Sequence, residues 1–392
     1  MKSKTGNSAI MKQNNKQAII NIIRKNSISR AELSRDTGLT RAAITMIVDK
    51  LMDEGIVVET GVVEANYGRK PIILDLNPEY TYAIGLDISR SGCRAGIINI
   101  KGKALIDNEI NIFGLNSKDA LKHIVNEINS LIAISGVNPS KISGLGVSAP
   151  GPINVSSGTI INPPDFYVWH NVSVTSFLQS KFPFKVYLEN NSIALALAEK
   201  YFGEGKYFNT YIVLVVNTGV GSGIILNDNL YRGVDGLGGE IGHISVDING
   251  TKCSCGNIGC LEVYASIPAI LKEAAVYDPN LKKWEDIVDK AIKSDKLCKA
   301  IIEREARYLS TGIVSSVNIL EPEAVILTGF INYKPQMLTE NIKLYTENYA
   351  MTRSLHKLNI LNSKIIANSE IISAASIVVD KFFNKDSNDK DT

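Results

Sequence analysis

No stretch of this 392-residue sequence approaches the roughly 20 consecutive apolar residues that a bilayer-spanning helix needs. The polar N-terminal residues also lack the hydrophobic run of a secretory signal, so a cytoplasmic protein with no membrane partner is expected. Cysteine is scarce: five residues, an odd count, which argues against a disulfide framework. Charge is neither high nor one-sided, at 21% charged residues and a net +2, and 45% of the residues are hydrophobic. That balance excludes a largely disordered chain, and the length suits two or three domains.

The small net charge hides an uneven distribution. Residues 1–50 hold ten Lys and Arg against three acids, so this head carries +7 and the remainder −5. A basic head on a mildly acidic body suits a polyanionic partner for the head.

Residues 1–12 carry no apolar pattern and read as disordered, after which Ala18, Ile19, Ile22 and Ile23 recur at helical spacing. A short helix is expected over 30–36, then a tight turn at Thr37-Gly38-Leu39. Thr40 is placed to cap a second helix running to about Asp53, with Ile44, Ile47, Val48 and Leu51 as its apolar stripe. Two short helices across a Gly-containing turn make a helix-turn-helix. Apolar runs over 56–63 and 72–76 flank Gly68-Arg69-Lys70 and read as a β-hairpin wing with a cationic tip.

A recognition helix meets base edges with its first residues. Thr40, Arg41, Ala42, Ala43 and Thr45 are therefore the expected contacts, the alanines suiting thymine methyls. Ser34 and Arg35 are expected at phosphates, and Arg69 and Lys70 in a minor groove, where narrow A·T tracts attract Arg. One such motif reads a half-site, so a homodimer, or a dimer of dimers, on an AT-rich inverted repeat is expected.

From Tyr80 onward the pattern changes. Strands are expected at 82–89, 94–100 and 103–110, a helix at 117–134 and a strand at 144–147. A second strand triplet at 211–217, 222–227 and 230–232 follows about 130 residues after the first, which reads as an internal duplication within an α/β architecture. Helices at 266–275, 283–320 (with breaks) and 369–384 complete the expected elements.

Three of the five cysteines fall within eight residues: Cys253, Cys255 and Cys260. With His243 they offer three thiolates and an imidazole, a common ligand set for a tetrahedral structural zinc. The flanking Ser, Asn, Lys and Gly residues make a packed core position a poor alternative. Cys93 and Cys298 stand alone and read as ordinary thiols.

At this cluster the sequence resembles the ROK family, which groups repressors with sugar kinases. The resemblance rests on Glu240-Ile241-Gly242-His243 followed by Cys253, Cys255, Cys260 and Glu262. It extends to Ala149-Pro150-Gly151-Pro152, Asn162-Pro163, Trp169, Glu189-Asn190-Asn191 and Thr218-Gly219-Val220-Gly221-Ser222-Gly223. Leu230-Tyr231-Arg232-Gly233-Val234 and the Cys-Ser-Cys-Gly-Asn run resemble the xylose repressors within the family. The resemblance implies a two-lobed actin-like (RNase H-like) sugar-kinase fold behind the winged head. The expected division is 1–78 for the head and 79–392 for the sugar module, whose lobes are about 79–188 plus 369–392, and 189–368. It also implies Asn190, Glu240, His243 and Glu262 as sugar ligands.

The same resemblance weighs against a kinase. Kinases of the family carry Asp after the Asn of the Glu-Asn-Asp segment, where it accepts the sugar hydroxyl's proton; Asn191 stands there instead. The first phosphate loop reads Asp87-Ile88-Ser89-Arg90-Ser91, without the glycines of its kinase counterpart, and Phe330 stands where the adenosine-side motif has a second glycine. A sugar-responsive transcriptional repressor, with no catalytic residues and no ATP cofactor, is the expectation. The effector is left open among xylose, glucose, an N-acetylated hexosamine and other aldoses.

Overall fold

The computed structural model describes residues 4–62, 72–90, 92–234, 236–351 and 357–384. The chain divides into two compact units: Met1–Ser148, Val174–Leu188 and Glu370–Thr392 in the first, Ala149–Ser173 and Glu189–Ser369 in the second.

The first unit opens with α1 (Lys4–Lys25), β1 (Ile28–Ser29), α2 (Arg30–Thr37) and α3 (Arg41–Asp53), then β2 (Val57–Val62) and β3 (Ile72–Leu76). Helix α1 starts well before its apolar stripe, over residues expected to be disordered; once nucleated, a helix extends by one backbone hydrogen bond per residue added. Ser29 and Glu32 cap α2 reciprocally, Gly38 takes a left-handed φ of 70° after it, and Thr40 caps α3 by accepting from the Ala43 N–H. Strands pair in the order β1-β3-β2, all antiparallel, which is the sheet of a winged helix. Ile19, Ile23, Leu33, Ile44, Val48, Leu51 and Leu74 are fully or almost fully buried.

The same unit continues with β4 (Tyr82–Ser89), β5 (Gly92–Asn99), β6 (Ala104–Ile110), α4 (Ser117–Ser135) and β7 (Ile142–Ala149). The short strands β8 (Ile153–Asn154), β9 (Thr159–Ile160) and β10 (Val172–Ser173) form a separate antiparallel sheet in the second unit. That excursion moves 149–173 out of the first lobe, where the sequence placed it, because two-residue strands leave no periodic signal. The chain returns through α5 (Val174–Gln179) to β11 (Lys185–Asn190), giving the sheet order β11-β7-β4-β5-β6.

In the second unit follow α6 (Asn191–Phe202), β12 (Tyr211–Val216), β13 (Val220–Leu226) and β14 (Asn229–Tyr231). Then come α7 (Glu262–Ala265), α8 (Ile267–Tyr277), α9 (Trp284–Ile292), α10 (Lys296–Leu320), β15 (Ala324–Gly329), α11 (Gln336–Tyr349) and β16 (Asn359–Asn362). The order β14-β13-β12-β15-β16 repeats the first sheet: an antiparallel triplet joined on one side to parallel strands. Positive φ at Asn227 and Asp228 makes the β13–β14 connection a two-residue hairpin turn. The duplication is therefore real at the level of topology.

Helix α12 (Ser369–Phe383) brings the chain back to the first unit. Its last residue, Phe383, is 1% exposed and lies under the Arg24 guanidinium of α1, 5.4 Å from the ring centre. The head expected at 1–78 is thus no separate compact unit: Lys101 also pairs with Asp75 across the 78/79 boundary at 2.5 Å, and Asp75 accepts from Ser27.

Candidate functional site

The helix-turn-helix presents a polar, exposed face. Arg35, Thr40, Arg41, Ala42 and Thr45 are all exposed, as the sequence reading requires. Ser34 is half-buried and its hydroxyl donates to the Leu39 carbonyl at 2.7 Å, so its proton closes the turn and is not available to a phosphate. The Thr45 hydroxyl donates back to the Arg41 carbonyl, leaving its lone pairs and methyl outward. Met46 was missed: it is 73% exposed, one turn beyond Ala42 on the same helix. Its apolar character hid it, since an apolar residue in a helix reads as core. Arg30, by contrast, is structural, bonding Asp49 and Glu59 at 2.9 and 2.8 Å. Arg69 and Lys70 lie outside the described residues.

His243, Cys253, Cys255 and Cys260 converge. Their ligand atoms lie within 4.8 Å of one another, with Cys253 Sγ 3.7 Å from His243 Nδ1 and Cys255 Sγ 3.7 Å from Cys260 Sγ. The loop holding them is built by its own backbone: Cys253 N–H donates to Asn257 O, Val246 N–H to Gly259 O, and Leu261 N–H to Ile244 O. A hydrogen bond from the Asn257 backbone N–H holds the Cys255 thiol below its ordinary value, whereas burial pushes Cys260 up to about 12. Four soft or borderline donors with no further carboxylate among them can hold a metal ion. Cys93 and Cys298 are buried apart from this cluster.

Beside the cluster, His243 turns its other ring nitrogen toward Glu240, with Nε2 3.9 Å from Oε2. Desolvation raises the Glu240 pKa; His243 opposes this, and Glu262 is near enough to add to it. Glu262 in turn accepts from the Val220 N–H at 2.9 Å, through an oxygen that would lie 2.5 Å from a Cβ at position 219. Gly219 is therefore needed for that carboxylate to reach the turn before β13. Gly242 has the same kind of reason: a Cβ there would stand 1.9 Å from the Val220 carbonyl oxygen.

Asn190 ends β11 and caps α6, its Oδ1 accepting from the Ser192 N–H at 2.9 Å. That engages one lone pair of the oxygen; the Nδ2 group carries donors, where Glu240 and Glu262 carry acceptors. The Ser192 hydroxyl lies against Gly221 of β13, and the neighbouring Ser222 hydroxyl donates to the Gly239 carbonyl at 2.5 Å, one residue before Glu240. The four residues expected from the resemblance thus belong to one connected region of the second unit. Asn191 is the first residue of α6.

A winged helix-turn-helix joined to a duplicated α/β module with a His/Cys cluster defines a class, and comparison with known proteins names it. The ROK family profile matches residues 83–381, and a winged helix-turn-helix DNA-binding profile matches residues 13–58. The chain belongs to the ROK family.

Within it, the chain is similar to the xylose repressor of Bacillus spizizenii, 32% identical over 376 residues, covering 96% of this chain and 97% of that protein. It is also similar to the glucokinase of Thermotoga maritima, 30% identical over 313 residues, but that match covers 76% of this chain. Among solved structures, a ROK family transcriptional regulator, described as a homolog of the E. coli MLC protein, superposes with a TM-score of 0.76 at 26% identity, covering 95% of this chain and 97% of that one. Among the described residues no helix is long and apolar enough to cross a membrane.

Proposed function

We propose that this protein is a sugar-responsive DNA-binding repressor of a carbohydrate-utilisation operon, that zinc occupies its His/Cys cluster, and that it has no kinase activity. The observation that supports the reading is the pairing, in one chain, of an exposed helix-turn-helix face with an amide, an imidazole and two carboxylates of the kind that suit sugar hydroxyls. Full-length similarity to proteins named xylose repressors supports xylose or a related aldose as effector.

Zinc suits the cluster on metric grounds. With Zn–S near 2.3 Å and Zn–N near 2.0–2.1 Å, tetrahedral geometry sets neighbouring ligand atoms about 3.5–3.8 Å apart. Two of the six ligand-atom pairs match that at 3.7 Å, and the ligand atoms all lie within 4.8 Å of one another. The ion would lie on the Nδ1 side of His243, leaving Nε2 to a sugar hydroxyl or to Glu240. Its chemistry there is structural: it fixes the loop that carries the sugar-facing imidazole. Asn191 supports the absence of phosphoryl transfer, because an amide cannot accept the proton that the attacking hydroxyl must lose.

Sugar binding in the second unit and DNA binding in the first must weaken each other reciprocally if the sugar acts as inducer, with a coupling on the order of 1–3 kcal/mol. The test is binding of the purified protein to its own promoter DNA at fixed salt, titrated with D-xylose, D-glucose and N-acetyl-D-glucosamine. Release by one sugar supports the reading and identifies the effector; DNA affinity unchanged at saturation by every sugar overturns induction, and no DNA binding at all overturns the repressor.

A further inference from the structure

Glu189 is 1% exposed, immediately precedes Asn190, and uses its two carboxylate oxygens differently. One accepts from the Asn190 backbone N–H at 3.1 Å; the other accepts from both Nε and Nη2 of Arg232, at 3.1 and 2.9 Å. Arg232 follows β14 directly and opens the loop that runs to Glu240. That loop is closed at its base by the Gly238 N–H bonding the Arg232 carbonyl at 2.8 Å, and Gly239 is held by Ser222 of β13. Above this base the side chains of Val234 and Leu237 stand in solvent, 101% and 54% exposed.

We infer that Arg232 is a positioning residue for the carbohydrate site: through Glu189 it sets the direction of the Asn190 amide group, and through its own carbonyl it sets the loop that delivers Glu240. The inference rests on the proposed sugar-binding reading. The physical reason is geometric. Asn190 Oδ1 is pinned as the cap of α6, so where its Nδ2 group points depends on the backbone of residue 190. That backbone N–H is held by Glu189, and Glu189, buried, keeps its carboxylate in place only while a cation answers it. One ion pair therefore orients a donor on one element and an acceptor on another. A hydroxyl pair on a sugar needs both at fixed spacing, so a small displacement of either is felt as lost affinity.

A role for Arg232 in stability alone is separated from positioning by the experiment. Calorimetric titration of the full-length, zinc-loaded protein with the three sugars of the promoter experiment is compared for wild type, Arg232→Gln, Glu189→Gln, the double variant and Arg232→Lys. Arg232→Gln is expected to weaken sugar binding by about tenfold or more, the scale typical of groups that orient a ligand-bearing residue. Zinc content and sugar-free DNA affinity should stay within about twofold, and Arg232→Lys should recover part of the loss. The double variant should be no worse than either single one, and Arg232→Gln made on top of Asn190→Ala should add less than it does alone, because coupled residues are not additive.

Sugar affinity within twofold of wild type in Arg232→Gln overturns the inference. So does an undiminished further loss in the Asn190→Ala background, or a loss of affinity only in step with zinc. If the wild-type protein binds none of the sugars, the sugar-binding reading itself fails, which the wild-type titration alone reveals. The side-chain amide resonance of Asn190 in an Asn-labelled sample, assigned by its absence in Asn190→Ala, gives a second measurement free of ligand. It should shift in Arg232→Gln, and an unchanged resonance overturns the positioning role.

Discussion

The Gln17 side chain donates from Nε2 to the main-chain oxygen of Phe383 at 2.5 Å, so the first helix of the DNA-binding head is fastened to the last turn of α12. Arg24 covers the Phe383 ring from the same helix, and Phe382 meets Tyr80 edge to face at 5.9 Å, just beyond β3. The head is thus held by packing as well as by the covalent connection at 77–81. Since α12 begins where the chain leaves the second unit at Ser369/Glu370, the head is clasped by the far end of a helix whose near end follows that unit in the chain.

Phe383→Ala should uncouple that clasp. Removing a fully buried Phe costs about 3–5 kcal/mol. Thermal unfolding is expected to split, with loss of helix from the head preceding the main transition, and DNA affinity should fall even without sugar. A single transition at the wild-type temperature would mean that the connection at 77–81 alone positions the head.

Cys260→Ser should abolish metal binding and sugar binding together. Cys260 is fully buried and its backbone bridges to Ser245, so a metal held by its thiolate would brace the loop that carries His243. Zinc content by atomic absorption and sugar affinity by calorimetry give the answer, with a chelator-treated wild type as the parallel case. Full sugar affinity in a zinc-free variant would show that His243 is positioned without the metal. Because the thiols must lose their protons to bind, zinc affinity should fall as the pH is lowered.

Asp87 makes stability depend on pH. Burial raises its pKa to about 6, against the opposing hydrogen bonds from Ser148 and Ser89; Glu370 adds to the rise and Arg94 opposes it. The folded-state value lies above the unfolded one near 3.8, so the neutral acid is the favoured form. Its stabilising contribution is fully present below pH 3.8 and is lost as the pH rises through 6, a loss of about 3 kcal/mol by neutral pH. Asp87→Asn keeps an acceptor for the Ser148 hydroxyl and removes the ionisation. The variant should gain stability at pH 7 relative to pH 4, measured by denaturant unfolding at both; an equal difference at the two values would place the Asp87 pKa at its ordinary position.

The parts of this fold that announce themselves in the sequence are those with a local cause. The cap at Thr40, the left-handed turn at Gly38 and the hairpin at Asn227-Asp228 each need particular residues, and the strand triplets carry continuous apolar runs. The cluster at His243 and Cys253–Cys260 was legible for the same reason, since ligand chemistry is written in residue type. What could not be read depends on long-range contact. Glu189 and Arg232 are 43 residues apart, and nothing in either neighbourhood says that they meet. The expected hydroxyl of Ser34 was claimed by a carbonyl five residues away. The strands at 153–154, 159–160 and 172–173 are too short to show a period, so their segment was placed in the wrong lobe. The union of the head with α12 rests on Gln17 and Phe383, separated by almost the whole chain.

Arg41 and Met46 should respond differently to substitution, although both are exposed on the recognition helix. An exposed arginine at the start of α3 gives its charge to either a phosphate or a guanine edge. If the contact is a phosphate, Arg41→Ala weakens binding to all sequences alike and reduces the salt slope by about 1; if it is a base, affinity falls by about 1–3 kcal/mol at the operator alone and specificity relaxes at one position. Met46 has no charge to give, and its thioether arm beside Ala42 suits an apolar contact with a thymine methyl. Met46→Ala should therefore leave the salt slope unchanged while diminishing the preference for thymine over uracil at one position of each half-site. Binding to operator fragments with single uracil substitutions reads this directly. Equal discrimination by wild type and Met46→Ala at every position would remove Met46 from the interface and leave Arg41, Ala42 and Thr45 to carry the reading.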